Sequence, residues 1–125
     1  MKLVLLLMAF VAITANAATP LNNQAEVNAA FAKHRPMVIM FSAAWCPACR
    51  LTYPQYLEAE KTFKGKVDFY YMDSDKISLK MARQYGGIPA FVCGKTEREI
   101  RSAKSLIEGG MPAEGIIDYV NKCIR

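Results

Sequence analysis

The sequence predicts an α/β fold of three layers, in which a mixed central sheet is covered by helices on both faces. Two observations support this prediction. Segments with helical spacing of apolar residues alternate with short, continuously apolar segments, and the pattern ends in a hairpin followed by a last helix. The 125 residues contain no repeat, linker or low-complexity stretch, so one domain of this kind accounts for them.

The predicted elements follow from apolar periodicity and from breaker residues. Val27, Ala30 and Phe31 recur at helical spacing, and Pro36 ends the helix that they define. Continuous apolar runs such as 37–41 are typical of strands buried on both faces. In chain order the predictions are a helix over 24–34, a strand over 37–41, a helix over 47–63, a strand over 67–72, a helix over 77–85 and a strand over 88–93.

The C-terminal third is predicted to hold the hairpin and the last helix. The mixed-charge stretch 95–104 is interpreted as an exposed hairpin with a last edge strand. Gly109, Gly110 and Pro112 precede an amphipathic helix. Its apolar stripe consists of Ile116, Tyr119, Val120, Cys123 and Ile124.

Composition excludes several classes of protein. The apolar fraction of 53% is too high for a disordered chain, and no residue type dominates as it does in collagen. The net charge of +5 is too small to indicate a nucleic-acid partner. The four cysteines carry more information, because their meaning depends on the compartment.

Residues 1–17 have the layout of a secretory signal peptide. A positive start with Lys2 precedes the apolar run 3–13, and Ala15 and Ala17 place small residues at the −3 and −1 positions of a cleavage site. The run is short for a membrane span, which needs roughly 20 apolar residues. We therefore expect a domain over 18–125 in the periplasm or secreted, and contact with a membrane only if the segment stays uncleaved as an anchor.

The chemistry centres on the sequence Cys46-Pro47-Ala48-Cys49. Between a buried strand and a helix, Cys46 falls at the helix N-terminus, where unpaired N–H groups and the helix dipole stabilise a thiolate. Pro47 suits the first turn because it needs no N–H acceptor. Two intervening residues bring the sulfurs within reach, so Cys46 is the expected nucleophile and Cys49 the resolving thiol. A zinc half-site is the competing interpretation, but one histidine and no second such motif make a four-ligand site improbable.

Four features in register resemble the thioredoxin family. They are the strand and active-site motif from Phe41 to Cys49, a kink proline at Pro54, a proline loop at Ile88-Pro89 and a glycine at Gly109 before the last helix. The resemblance implies a thioredoxin-like fold with Pro89 in the cis form beside the cysteines. It also implies that Trp45, Pro47, Ile88 and Pro89 contact the substrate, with the Ile88 backbone pairing with an extended segment.

Departures from the family's pattern indicate that this is not a standard cytosolic thioredoxin. Met40 stands where many members have a buried aspartate, and Tyr71 where an accompanying lysine often lies. An N-terminal strand is not evident, and the loop 85–89 is short. Pro47-Ala48 is more similar to exported members. The short interval between Met72 and Tyr85 has no room for the helical insertion of the disulfide-introducing oxidases.

Cys93 and Cys123 form a separate pair in this prediction. Cys93 lies four residues beyond Pro89, roughly 13 Å along a strand, and Cys123 lies 11 residues beyond Pro112, roughly 16 Å along a helix. Both therefore reach the end of the domain opposite the redox motif. Two outcomes stay open, a structural disulfide between them or two buried thiols.

The function predicted from the sequence is thiol–disulfide exchange on exported proteins, as a reductase or isomerase rather than an oxidase. The expected partners are thiols and disulfides of exported proteins and, for reduction, a membrane thiol-transfer protein that donates electrons. No cofactor and no metal are expected. The alternatives are a binding or adaptor module that uses the groove at Pro89, and a metal carrier that uses Cys46 and Cys49.

Overall fold

The computed structural model describes residues 17–77 and 87–125. The predicted signal peptide apart from its last residue, and all but the first residue of the helix predicted over 77–85, lie outside these ranges. Within the described residues no helix is long and apolar enough to cross a membrane.

A five-stranded mixed sheet forms the centre of the described domain, in the order β1-β3-β2-β4-β5. Strands β1 (Thr19–Pro20) and β2 (Met37–Ser42) run parallel to β3 (Asp68–Asp73). Strand β4 (Ala90–Gly94) is antiparallel to β2, and β5 (Ile107–Glu108) is antiparallel to β4. The predicted mixed sheet is confirmed, and the continuous burial of β2 and β4 explains their unbroken apolar runs.

Helices cover both faces of this sheet, as predicted. Helices α2 (Pro47–Thr62) and α4 (Ala113–Cys123) pack on one face, and α1 (Gln24–Ala32) and α3 (Glu97–Ser102) pack on the other. The first face buries Tyr56, Ala59, Ile116 and Val120, and the second buries Val27, Phe31 and Ile100.

Tyr56 fixes α2 on the sheet. Its ring is fully buried, and its hydroxyl lies 2.7 Å from the carbonyl oxygen of Tyr70 and 3.1 Å from that of Val38. Because β2 and β3 are neighbours, one hydroxyl holds α2 to both. Burial is the main cause that raises the pKa of Tyr56 well above its usual value.

The hairpin predicted over 95–104 is wrong, because a helix occupies its centre. Thr96 caps α3 by accepting a hydrogen bond from the Glu99 backbone N–H, and the Glu99 carboxylate accepts one from the Lys95 backbone N–H. Ile100 is the one residue of this helix that is fully buried. The mixed charges therefore form the exposed side of a short capped helix, and the last edge strand, β5, lies beyond the predicted stretch.

The structure also contains the N-terminal strand that the sequence did not reveal. Strand β1 pairs Thr19 with Tyr70, and the Leu21 N–H donates to the Tyr71 carbonyl. Two residues are too few to show a strand period. Other differences concern boundaries: β4 begins at Ala90, after the proline loop, and α1 ends at Ala32, before His34 with its positive φ of 52°.

Candidate redox site

Cys46 is the N-cap of α2 and lies beyond the C-terminal end of β2. Its sulfur accepts a hydrogen bond from the backbone N–H of Cys49 at 3.2 Å, and Pro47 occupies the first turn. Cys46 and Cys49 form a disulfide with a Cα–Cα distance of 5.2 Å. In the reduced protein the same N–H and the helix dipole act on a Cys46 thiolate, which is the condition for a nucleophilic cysteine.

The proline loop lies against this sulfur. The Ile88–Pro89 peptide bond is cis, as predicted. The carbonyl oxygen of Ile88 is 3.8 Å from the Cys46 sulfur, and the Gly109 N–H donates to the Pro89 carbonyl at 2.8 Å. Gly109 has a φ of +99°, a conformation that favours glycine, so the loop before α4 is shaped to hold the proline loop in place.

Apolar side chains are exposed beside the cysteines. Trp45 is 65% exposed and Leu51 is 78% exposed, and Pro47 is also exposed. The indole N–H of Trp45 donates to Asp75 at 2.8 Å, which fixes the ring although most of its surface faces solvent. The structure therefore places Trp45, Pro47, Ile88 and Pro89 near Cys46, and their contact with a substrate stays a prediction. It adds Asp75, which lies 30 residues away from Trp45 in the chain and gave no sequence signal.

Cys49 borders a second surface, on the side of α2 away from the proline loop. A cavity of about 360 Å³ is lined by Cys49, Arg50, Tyr53 and Tyr71, together with the backbone that follows β2. The rings of Tyr53 and Tyr71 meet edge to face at 5.3 Å. Burial, and next the neighbouring Tyr71, raise the pKa of Tyr53.

Two departures from the family's pattern lie near Cys49: Tyr71 lines the cavity, and Met40 belongs to the same buried cluster as Cys49. Met40 is fully buried and pairs across the sheet with Tyr71, so the aspartate and lysine positions are neighbours here too. None of the described residues that line the cavity is acidic. Near Cys49, the buried Met40 thus stands where many members of the family have a carboxylate, and Tyr71 stands where they often have a lysine.

Glu108 is a further residue at this end that the sequence did not single out. Its carboxylate packs on Gly87, where a Cβ would lie 2.5 Å from Oε2 of Glu108. Gly87 directly precedes Ile88, so the carboxylate flanks the proline loop. A side chain at position 87 would therefore require the flexible end of the Glu108 side chain to move.

Cys93 and Cys123 lie at the opposite end of the domain and form the second disulfide, with a Cα–Cα distance of 6.1 Å. Cys93 pairs with Val38 near the start of β2, whereas Cys46 follows the end of β2. The hydroxyl of Ser105 accepts from the Cys93 N–H at 3.0 Å and donates to the Cys93 carbonyl at 2.7 Å. Of the two outcomes left open by the sequence, the structure has the disulfide.

Comparisons with known proteins agree with this geometry. The sequence model of the thioredoxin family matches residues 17–122, so the chain belongs to the thioredoxin family. A thioredoxin of Borreliella burgdorferi is 37% identical over 46 residues, which are 37% of this chain and 39% of that protein. Thioredoxin H4 of Arabidopsis thaliana is 30% identical over 69 residues, which are 54% of this chain and 57% of that protein.

Solved structures give the fold. The crystal structure of the Malassezia sympodialis thioredoxin superposes with a TM-score of 0.70 at 21% identity, and the match covers 87% of this chain and 92% of that one. The fold is therefore a thioredoxin fold. Its CxxC pair, Cys46 and Cys49, makes it a disulfide oxidoreductase domain by class. The two curated relatives are matched over 39% and 57% of their own length.

Proposed function

We propose that this protein is an exported thiol–disulfide oxidoreductase that reduces or isomerises disulfides of other exported proteins. The observation that supports the exchange chemistry is the position of Cys46. Its sulfur accepts a hydrogen bond from the Cys49 N–H at the start of α2 and faces the carbonyl of Ile88 in the proline loop. The activity of the whole protein, its direction and its partners are parts of this proposal.

Each reductive cycle moves two electrons from the cysteine pair to the substrate. The Cys46 thiolate attacks one sulfur of the substrate disulfide, the substrate S–S bond breaks, and the second substrate sulfur leaves as a thiolate that takes up a proton. The Cys49 thiolate then attacks the Cys46 sulfur. That attack breaks the mixed disulfide, releases the first substrate sulfur as a thiol and leaves the Cys46–Cys49 disulfide.

The proline loop is the proposed binding site of the substrate chain. Cys46 is only 4% exposed, so attack requires that the substrate disulfide approach along the narrow surface between Trp45 and Ile88. An extended segment that pairs with the Ile88 backbone would place its sulfur over Cys46. The exposed Trp45 and Leu51 would add apolar contact on the other side.

Reduction or isomerisation is favoured over oxidation because little in the site stabilises a thiolate strongly. One backbone N–H reaches the Cys46 sulfur, and the residue before the cis-proline is the apolar Ile88. Strong oxidants of this chemistry, at about −120 mV, depend on a highly stabilised reduced form, whereas thioredoxins lie at about −270 mV. We expect a potential nearer the second value, to be measured by equilibration in glutathione buffers.

Export is proposed from the N-terminal sequence. The short positive start, the apolar run 3–13 and the small residues at 15 and 17 have the layout of a cleaved signal. In an oxidising compartment a reductase needs an external electron source, for which we propose a membrane thiol-transfer protein.

The trapping variant Cys49→Ser tests this function. Without the resolving thiol, the Cys46 mixed disulfide should persist, and adducts with exported proteins should accumulate that a reductant releases. The matched control is Cys46→Ser, which keeps Cys49 and should trap far less. Absence of adducts in the exported fraction of Cys49→Ser cells would refute exchange with exported proteins.

A binding or adaptor module is the second candidate, favoured by the large exposed fractions of Trp45 and Leu51. The Cys46→Ser variant separates the two functions. An adaptor would keep its physiological effect in this variant, whereas an oxidoreductase would lose it.

A further inference from the structure

Two buried polar side-chain atoms in the described part of the chain lack a hydrogen-bond partner, and both belong to residues that line one cavity. They are Oε2 of Glu60, on α2, and the hydroxyl of Tyr70, on β3. Tyr70 is only 3% exposed, and burial and next the neighbouring Asp68 carboxylate raise the pKa of its hydroxyl, although the two groups do not meet hydrogen-bond geometry. Buried polar atoms in native proteins almost always have partners, so two such atoms beside the same space indicate a missing group.

The cavity, of about 310 Å³, lies away from the redox site, near the last turn of α2 and the start of β3. Burial raises the pKa of Glu60, as it does for a carboxyl without a cationic partner. Lys64 lies four residues along the chain from Glu60, beyond the end of α2, and no ion pair joins the two within 4.0 Å. The remaining charges are the exposed Lys33 and Lys64, and Asp68, whose two oxygens receive Arg35 Nε at 3.1 Å.

The N-terminal part of the chain reaches the same cavity. Ala17 lines it together with Glu60 and Tyr70. The next residue, Ala18, is buried in the core cluster that also contains Ala59 and Phe63, the α2 neighbours of Glu60. Strand β1 pairs Thr19 with Tyr70 and so fixes this position along the sheet.

We propose that the cavity lined by Glu60 and Tyr70 binds a primary ammonium group, and that its ligand is the α-ammonium group of Ala18 in the processed chain. The inference rests on the export part of the proposed function. Hydrolysis of the Ala17–Ala18 peptide bond consumes one water, leaves a carboxylate on the departing segment and an amine on Ala18, and the amine takes up a proton. An ammonium group has three N–H donors, which suits the Glu60 oxygen and the lone pairs of the Tyr70 hydroxyl.

Processing would therefore turn an uncompensated carboxyl into an ion pair that joins α2 to β1. Before cleavage the nitrogen of Ala18 is a neutral amide with one donor. After cleavage it carries a charge, and pairing with Glu60 favours the charged form. The α-amino group, which ordinarily titrates near pH 7.7–8.0, should then titrate at higher pH.

The full chain is expressed with its N-terminal segment so that it can be exported. The product is then purified from the exported fraction. Mass spectrometry gives the N-terminal residue, and the rate of α-amine acylation is measured against pH. We expect a chain that begins at Ala18 and an α-amine that is acylated at pH 7 about tenfold more slowly than in Glu60→Gln, which corresponds to one pKa unit. Tyr70→Phe should give an intermediate rate.

Glu58→Gln is the matched control. Glu58 lies on the same helix, but its carboxylate is exposed and already pairs with Lys61. This variant should match the unmodified chain. Disulfide exchange by Cys46 shows whether each variant is folded. Equal acylation rates in the unmodified chain and in a folded Glu60→Gln overturn the inference while the exchange function stands. A first residue other than Ala18 also overturns it, together with the predicted cleavage, whatever the exchange assay gives.

Discussion

The two disulfides of this domain lie at opposite ends of the same strands and have very different surroundings. Cys46 and Cys49 are three residues apart, in the first turn of one helix, with an N–H directed at the first sulfur and the proline loop beside it. Cys93 and Cys123 are 30 residues apart and join a central strand to the last helix. The disulfide within one helical turn, beside the proline loop, is thus suited to exchange. The disulfide between distant elements is suited to a structural cross-link.

Removing the nucleophile should have the largest effect. Cys46→Ser should reduce the rate of disulfide reduction to the uncatalysed background, because Cys49 is the more deeply buried residue, at 1% exposure against 4%, and lacks the N-cap position. The paired variant Cys93→Ala with Cys123→Ala should keep most of the rate. The assay is the initial rate of reduction of a disulfide-bonded test protein such as insulin. Comparable losses in both variants would end the distinction between the two pairs.

Removing the second disulfide should have the largest effect on stability. A cross-link between residues 30 apart restricts the unfolded chain by about 3–4 kcal/mol, against about 2 kcal/mol for a four-residue loop. Cys93→Ala with Cys123→Ala should therefore lose more free energy of unfolding in urea than Cys46→Ala with Cys49→Ala. The reverse order would contradict the structural role of the second pair.

Gly109 and Gly115 allow a matched test of the loop before α4, which holds the proline loop in place. Gly109→Ala should cost about 1–3 kcal/mol, because alanine is strained at a φ of +99°, and it should raise KM by disturbing the hydrogen bond to Pro89. Gly115 lies inside α4, where an added Cβ meets only ordinary contacts at 3.5 Å or more. Gly115→Ala should stabilise the domain by up to about 1 kcal/mol. Equal effects of the two variants in urea unfolding would show that the Gly109 conformation is unimportant.

Tyr119, between the two ends, should give the smallest effect. Burial raises its pKa to about 12, although its hydrogen bond with Ser105 lowers it. The neutral phenol therefore adds stability that is complete below pH 10 and is lost as pH rises through 12. Between pH 9 and pH 11.5, the free energy of unfolding should fall less for Tyr119→Phe than for the unmodified chain. A loss of the same size in both would assign the alkaline transition to other groups.

The sequence was most informative where a few adjacent residues determine both structure and chemistry. Cys46, Pro47 and Cys49 specify a helix N-terminus and a redox pair together, whereas the cis form of Pro89 was implied by the resemblance to the thioredoxin family. The prediction over 95–104 was wrong for a reason that was itself visible. Thr96 and Glu99 have the spacing of a capping box, whereas the prediction of a hairpin rested on the mixed charges alone.

Other features could not have been read from the chain. Strand β1 has two residues and exists only because β3 offers it an edge. The hydrogen bond from Trp45 to Asp75 and the packing of Glu108 on Gly87 join residues that are distant in sequence. Such contacts depend on tertiary placement, and no local pattern encodes them.

The most direct test of the two roles reads both disulfides in one sample. The oxidised protein is equilibrated with a graded series of dithiol buffers, its thiols are alkylated, and peptides that contain each pair are quantified by mass spectrometry. We predict that Cys46 and Cys49 become reduced first, in buffers that leave Cys93 and Cys123 joined. Reduction of the two pairs in parallel, or of Cys93 and Cys123 first, would contradict the division into an exchanging pair and a structural one.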